Sequence, residues 1–363
     1  MPSALGQLLI EKARLAQSRT KPTPAYERFP HLAFRNRDWK GFTRHGRGDA
    51  YPLYTQDTMR NLADHLFDFS TGYGSGPTRA PMVRPCDLVY STLRPVRDFL
   101  ESVHSHIRVP YLLLTDTSDV SVTHHNADAL LNSSTLYHWW ASDNEVVDSP
   151  KLSSVPLGIS DNLEPQGLKG DRRSVLFHGN VTRYLAKLLE AESQPRTLWV
   201  MSQMSMTHGE RRVVRDLFGR SWGRSEIRVT TEGRMTSDRY LRSLGRHRFI
   251  LSPRGNGLDS HRTWEALLVG TVPIVRRSAL DSLYDSLPVL VVDDWTEVTV
   301  DRLERFYREY KIRQSWYHYE KLFADYWIGS IAVHRERCLA EERAKHAPNY
   351  KYGYHRRGGW VQV

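Results

Sequence analysis

"LSPRGNGLDSHRTWEALLVGTVPIVRRS" runs from Leu251 to Ser278, and the order of residue types in it decides the fold. The apolar run "RFILS" leads into it and reads as a buried strand. Pro253 cannot donate a hydrogen bond to a sheet, so the strand ends there. Gly255 and Gly257 permit positive φ and let a ligand approach the backbone closely. Asp259 or Ser260 can cap a helix predicted over 260–269, and a second strand follows over 271–276. Strand, turn, helix and strand in this order make a parallel βαβ unit. The turn is richer than a connection requires. Arg254 and Arg262 flank a helix N-terminus, whose unpaired N–H groups and partial positive charge favour an anion. A diphosphate is the natural occupant. The plainer reading has Asp259 capping the helix and Arg262 paired with Glu265 three residues on.

The same alternation extends in both directions. Toward the C-terminus come a helix "LDSLYDSL", a strand "PVLVVDDW" and a helix "VTVDRLERFYREY". Upstream, "SVLFHGN", "TLWVMSQ" and "RFILS" are strands interleaved with the helices "RYLAKLLEAE", "ERRVVRDLFG" (closed by Gly219) and "SDRYLRSLGR". An earlier series uses "DLVYS", "PYLLLTDTSD", "LYHWWASDN" and "LSSVPLGIS" as strand units, with a helix in "RPVRDFLESVHSHI". The polar Asn162–Arg173 stretch separates the two series and reads as a linker. The expected fold is α/β, with two Rossmann-like doubly wound domains facing a cleft. The domain over 51–165 follows a basic extension over 1–50 that starts with the helix "ALGQLLIEKARLAQ". The second domain spans 171–310. A helical segment over 311–345 packs back across both, and 346–363 is a basic tail.

A chain of 363 residues suits two domains. The formal charge of +10, from 51 Lys plus Arg against 41 Asp plus Glu, suits a phosphate-bearing partner. Part of the excess lies in the first fifty residues and in the terminal "YKYGYHRRGGW", which reads as solvated basic surface. Cys86 and Cys338 lie far apart in sequence, make no disulfide framework or metal cluster, and fit a reducing compartment. No apolar run approaches the roughly 18 residues of a membrane span, so no stable membrane insertion is expected. With a Met start and no cleavage site, the expected location is cytoplasmic. Asn132-Ser133-Ser134 and Asn180-Val181-Thr182 carry the glycosylation pattern.

A dinucleotide fold is one rival. Its fingerprint needs a third glycine, where this chain has Ser260, and an acid after the next strand, where it has Arg276 and Arg277. NAD is disfavoured; an NADP-dependent oxidoreductase stays open through those arginines. A second rival is a non-enzymatic basic module that binds glycan or nucleic acid. The aromatics are not interleaved with the basic runs in any nucleic-acid motif, so no nucleic-acid partner is expected.

"RFILSPRGNGLDSHRTWEALLVGTVPIV" resembles the donor-binding signature of the exostosin-like glycosyltransferases. That signature has a Pro-Arg-Gly or Pro-x-Gly turn, then Ser/His-x-Arg, Glu-Ala-Leu, a Gly and a Val-Pro-Ile/Val strand. "LDSLYDSLPVLVVDDWTEVT" also fits, and "WWASDNEVVDSPKLSSVPLGI" is similar more loosely. The likeness is strongest over about 245–300 and absent before about 80. It implies a GT-B glycosyltransferase that inverts the anomeric centre. The donor is a nucleotide diphosphate sugar, UDP-linked and of xylose or hexose type, and the acceptor is a hydroxyl of a glycan or glycoprotein. By motif, Glu265 hydrogen-bonds the ribose hydroxyls. Arg254 and the backbone of Gly255, Asn256 and Gly257 face the diphosphate, with Arg262 behind them. The family's Golgi location remains an alternative where an anchor has been removed.

Three further features bear on that reading. In "FHGNVTRY", Gly179 and Asn180 can approach the phosphates, and Arg183 can neutralise them or be a solvated helix-start arginine. No Asp-x-Asp triplet occurs, so no metal or other cofactor is demanded where fixed positive charge stabilises the leaving group. The base should come from the C-terminal end of a first-domain strand. Asp119 is favoured over Asp116, His124 and Asp143. Trp139 and Trp140 either offer a stacking face for an acceptor sugar or fill the core.

Overall fold

The computed structural model describes residues 2–17, 50–60, 62–67, 77–92, 96–116, 120–159, 181–221, 229–230, 235, 237–346, 352–355 and 359–362. Among the described residues, the helices α1 (Ala4–Gln17) and α2 (Gln56–Arg60) precede a parallel sheet of β1 (His65–Phe67), β2 (Leu88–Thr92), β3 (Tyr111–Asp116), β4 (Leu136–Ala141) and β5 (Leu152–Ser154). These strands pair in sequence order. Between them lie α3 (Val96–Ser102) and α4 (His124–Leu131). Successive strand residues point to opposite faces. Val89, Leu113 and Trp139 therefore pack against Phe99 of α3 and Ala127 and Leu130 of α4. Tyr90, Leu112, Leu114 and Trp140 join a different cluster with Leu53, Met59 and Leu62. With both faces covered, the strands bury apolar residues on both, which is why they read as runs rather than alternations.

The second parallel sheet begins after α5 (Val181–Glu192). It contains β6 (Leu198–Met201), β7 (Val229–Thr230), β8 (His247–Leu251), β9 (Val272–Arg276) and β10 (Leu290–Val292). The connecting helices are α6 (Gly209–Ser221), α7 (Ser237–Arg246), α8 (His261–Leu268) and α9 (Asp281–Tyr284). The order is β10-β9-β8-β6-β7, so the winding reverses between β6 and β8. The crevice outside the carboxyl ends at such a reversal is where α/β sheets bind ligands. The expected strand "SVLFHGN" and the expected linker lie outside the described residues. Helix α6 runs two residues past Gly219, the glycine expected to close it.

The N-terminal helix is not a solvated extension. Its Leu5, Leu9 and Ala13 are buried with Leu185, Leu188 and Ala191 of α5, and Ser3 Oγ donates to Glu192 Oε1 at 2.5 Å. After α10 (Val300–Ile312), the 23-residue helix α11 (Ala324–His346) packs back across the molecule as expected. Its first turns bury Trp327, Ile328 and Ile331 in the cluster shared by both domains. Further along, Tyr137 donates to Glu341 (2.7 Å), and Arg335 donates to Asp64 (2.8 Å) and Asp87 (3.3 Å).

The two cysteines, expected to stand apart, are joined as the Cys86–Cys338 disulfide across 252 residues of sequence. Sequence separation hid the pair because only the return of α11 to the first sheet brings the two together. The terminal stretch is also more than a basic tail: β11 (Tyr352–His355) and β12 (Gly359–Gln362) form an antiparallel hairpin.

Candidate functional site

The loop after β8 lies at the carboxyl edge of the second sheet. Ser252 anchors its first residue by an Oγ–Oγ1 bond of 2.8 Å to Thr263 in α8. Three arginines gather around the rest of the loop. Arg211, in the first turn of α6, is buried; it donates to the carbonyl of Arg254 (2.9 Å) and that of Ser205 (3.0 Å). Burial first, and the nearby Arg262 charge second, push it down to about 10. Arg262 donates to the Gln203 carbonyl (2.8 Å) and Arg254 to that of Asn256 (3.2 Å). Among the described residues, two buried guanidinium nitrogens, Arg254 Nε and Arg262 Nη1, have no hydrogen-bond partner. Arg262 makes no ion pair with Glu265 among the described residues, contrary to the plainer sequence reading. Unsatisfied buried donors cost stability, and neighbouring guanidinium groups repel. A bound anion would relieve both.

The start of α8 is similarly open. Ser260 holds the cap position in extended geometry without a side-chain bond to the helix. Asp259 does not cap it either. Its Oδ2 accepts from Leu157 N (2.8 Å) and Trp264 Nε1 (2.7 Å), and its Oδ1 from Ser260 N (2.6 Å). The partial positive charge of α8 is therefore not quenched by its own capping residues.

Two different surfaces flank this loop, because residues two apart on a helix diverge by about 200°. Thr263 lines a cavity of about 360 Å³ with Glu210, Ser252, Arg254, Ser260 and Arg276. Glu265 faces away from it, toward Tyr184 of α5 and Tyr240 of α7. Burial, and then the Glu265 charge, raise both phenols well above their ordinary value, and Tyr240 hydrogen-bonds Glu265. A polar cavity on one side and a carboxylate between two phenols on the other leave the arginine loop in the middle.

The first-domain candidates fall in different settings. Asp116, at the end of β3, is buried and accepts from Gln56 Nε2 at 2.7 Å. His124 is exposed between Asp128 (3.1 Å) and Asp148 (3.0 Å), whose bond and charge raise its pKa. Asp143 is buried in the turn after β4, with φ +50°. Its Oδ1 accepts from Asp259 N at 2.6 Å, and Leu258 N–H also donates to it. Burial chiefly, against the lowering effect of those amides, and the Asp259 charge push it up to about 7. Asp119, Gly179 and Asn180 lie outside the described residues. Arg183 is exposed on α5. Trp139 and Trp140 are core residues, 0% and 1% exposed, and Trp139 Nε1 is spent on Thr115 Oγ1 (2.7 Å); they offer no stacking face.

The structure thus gathers Arg254, Gly255, Asn256, Gly257, Arg262 and Asp143 at one loop, with Glu265 just beyond. Sequence reading missed Arg211, whose bond to the loop spans 43 residues. Its only signal was a basic residue opening the helix that follows an adjacent strand.

No family model matches the chain, and no curated protein matches it. Among solved structures it is similar to a sucrose-phosphate synthase from Thermosynechococcus elongatus, at 12% identity and TM-score 0.38, over 76% of this chain and 78% of that one. It is similar to an alpha,alpha-trehalose 6-phosphate synthase from Burkholderia multivorans, at 12% identity and TM-score 0.37, over 74% of each chain. An alpha,alpha-trehalose-phosphate synthase (UDP-forming) from Burkholderia vietnamiensis has 12% identity and TM-score 0.36, over 87% of this chain and 81% of that one.

Proposed function

We propose that the protein is a GT-B-type glycosyltransferase that moves a sugar from a nucleotide diphosphate, UDP in this reading, to a hydroxyl of a glycan acceptor with inversion. The observation that carries the proposal is the arginine cluster at the uncapped start of α8. It holds two buried guanidinium nitrogens, Arg254 Nε and Arg262 Nη1, without a partner among the described residues. A diphosphate supplies the oxygens they lack. The resemblance of 248–275 to the exostosin-like donor signature supports the same assignment.

The two flanks give the rest of the donor a place. Glu265 is a good acceptor for vicinal ribose hydroxyls. The cavity beside Thr263 and Arg276 carries donors and acceptors for sugar hydroxyls, whereas a nucleobase would need a more apolar slot. As the glycosidic bond breaks, negative charge grows on the diphosphate, and prepositioned arginines with a helix end stabilise it without reorganising. This fixed charge fills the role a metal would otherwise take.

The base must remove the acceptor proton from the first-domain side. Asp119, three residues beyond the end of β3 in the sequence, is the candidate for that role. The Asp143 carboxylate is engaged by backbone amides and His124 by two carboxylates, so neither is free for it. The Cys86–Cys338 bond supports a disulfide-permissive compartment, a lumen rather than the cytoplasm that the cysteine count suggested.

The test is thermal denaturation of the full chain with UDP, GDP, CMP, ADP or NADPH, each alone. A ligand at 100 times its Kd stabilises by roughly 2.7 kcal/mol. UDP is expected to raise Tm, and Glu265→Ala to abolish most of that rise, measured against the variant's own unliganded Tm. A response to NADPH alone overturns the proposal.

A further inference from the structure

The two domains meet at a contact that the transfer chemistry does not use. The turn after β4 is held rigidly within the first domain. Val122 N donates to Asp143 O (3.0 Å), and Glu145 N to Val122 O (2.8 Å). Asn144 Nδ2 bonds Val146 O (2.9 Å) and Ser154 Oγ (3.1 Å), and Val146 N returns to Asn144 Oδ1 (2.9 Å). From this frame the Asp143 side chain crosses to the loop before α8, where it takes the amides of Leu258 and Asp259. A Cβ on Gly257 would lie 2.6 Å from Asp143 Oδ2, so that position is close-fitted to the carboxylate. The second domain answers in kind: Asp259 Oδ2 takes the Leu157 amide (2.8 Å), and His261 Nδ1 bonds Gly158 O (2.7 Å). Backbone held in positive φ at a non-glycine residue persists where surrounding contacts over-determine it, and it concentrates at functional sites.

We infer that Asp143 is a positioning residue: through the amides of Leu258 and Asp259 it fixes the arginine-bearing loop from the opposite domain, so that the anion site is complete only while the domains are closed. The ligand's identity rests on the donor-site reading; the latch does not. Closure would then couple the two halves of the reaction, because the turn beside the acceptor-side sheet would set the geometry of the phosphates.

The experiment is amide hydrogen exchange on the full-length protein, comparing wild type with Asp143→Ala and Asp143→Asn, each with and without UDP. Without ligand, the Leu258 and Asp259 amides should exchange about tenfold faster in the alanine variant. The asparagine variant should recover part of the protection, since its amide oxygen still accepts one bond. Peptides from β2, β3 and α11 should be unchanged, which reports that the fold is intact. In wild type UDP should slow exchange over 254–260, and Asp143→Ala should weaken UDP binding by a similar factor. Unchanged loop exchange in both variants overturns the latch, whatever UDP does. Faster loop exchange with no UDP effect in wild type keeps the latch and defeats the donor-site reading instead. If the alanine variant does not fold, the asparagine variant decides by the same two readings.

Discussion

Gly257 and Gly255 sit two residues apart in one loop and are held by different constraints. At Gly257 an added methyl would meet the Asp143 carboxylate at 2.6–2.8 Å. That carboxylate is anchored by two amides and cannot retreat without losing them. Gly257→Ala should therefore destabilise by roughly 1–3 kcal/mol. At Gly255 the nearest atom is Arg211 Nη2 at 3.0 Å, the end of a longer side chain, so Gly255→Ala should cost less. Differential scanning calorimetry of the two variants checks the ranking; equal Tm values would contradict it. Arg211→Lys keeps the charge but loses the planar fork that reaches both Arg254 O and Ser205 O. It should weaken UDP binding by about tenfold, measured by calorimetric titration. The glycines and Arg254 were legible in the sequence because they lie in one turn with local meaning. Arg211 and Asp143 were not legible in these roles. Their partners stand 43 and 116 residues away, and only the arrangement of the sheets brings them together.

Among the elements, α11 does the most to hold the two halves together. It shares buried contacts with both domains and is fixed at mid-length by Arg335, Asp64, Asp87 and the disulfide. Removing one partner of a buried ion pair leaves uncompensated charge and costs roughly 3–5 kcal/mol. Arg335→Met should fall in that range by urea denaturation. It strands two carboxylates, so it should exceed the loss from Lys12→Met. Lys12 also bonds α11, through Asp325 (3.0 Å), but that carboxylate is 38% exposed. Cys338→Ser, or reduction of wild type, frees a long closed loop and should cost about 5 kcal/mol. No change in the midpoint after reduction would mean that the bond adds nothing to α11. Strands and helices of the two sheets were readable because a doubly covered parallel strand must be an apolar run and each covering helix amphipathic. Attachment of α1 to α5 and of α11 to the residues just before β1 and β2 was not readable, since an amphipathic stripe states that a face is buried and not against what.

For the molecule as a whole, the buried titratable groups act in opposite directions on stability. Asp143 is pushed up to about 7, chiefly by burial. Asp64 is pushed up to about 6, again by burial, with Arg335 opposing. A carboxyl raised above its unfolded value near 4 binds a proton more tightly in the native state. Its contribution to stability is full at low pH and is lost as pH rises through the folded value. His138 runs the other way. Burial, and then the His334 charge, push it down to about 3, so its contribution is lost as pH falls from about 6.5 toward 3. Between pH 4 and 6.5 these trends partly offset. Over pH 6 to 7 the unfolded chain still loses its His138 proton, which offsets part of the fall, while His124, raised by Asp128 and Asp148, adds to it; above about pH 7 Asp143 continues to titrate. Unfolding free energy from urea melts at constant ionic strength should fall over pH 6–8 and level off above it. Asp143→Asn should flatten that segment. Because Asp143 spans the domain boundary, the same titration should loosen the loop before it loosens either sheet. Hydrogen exchange at 258–259, corrected for intrinsic rates, should quicken across pH 6–8 while β3 and β8 stay protected. Uniform quickening of all three would assign the pH effect to global unfolding and not to the contact between domains.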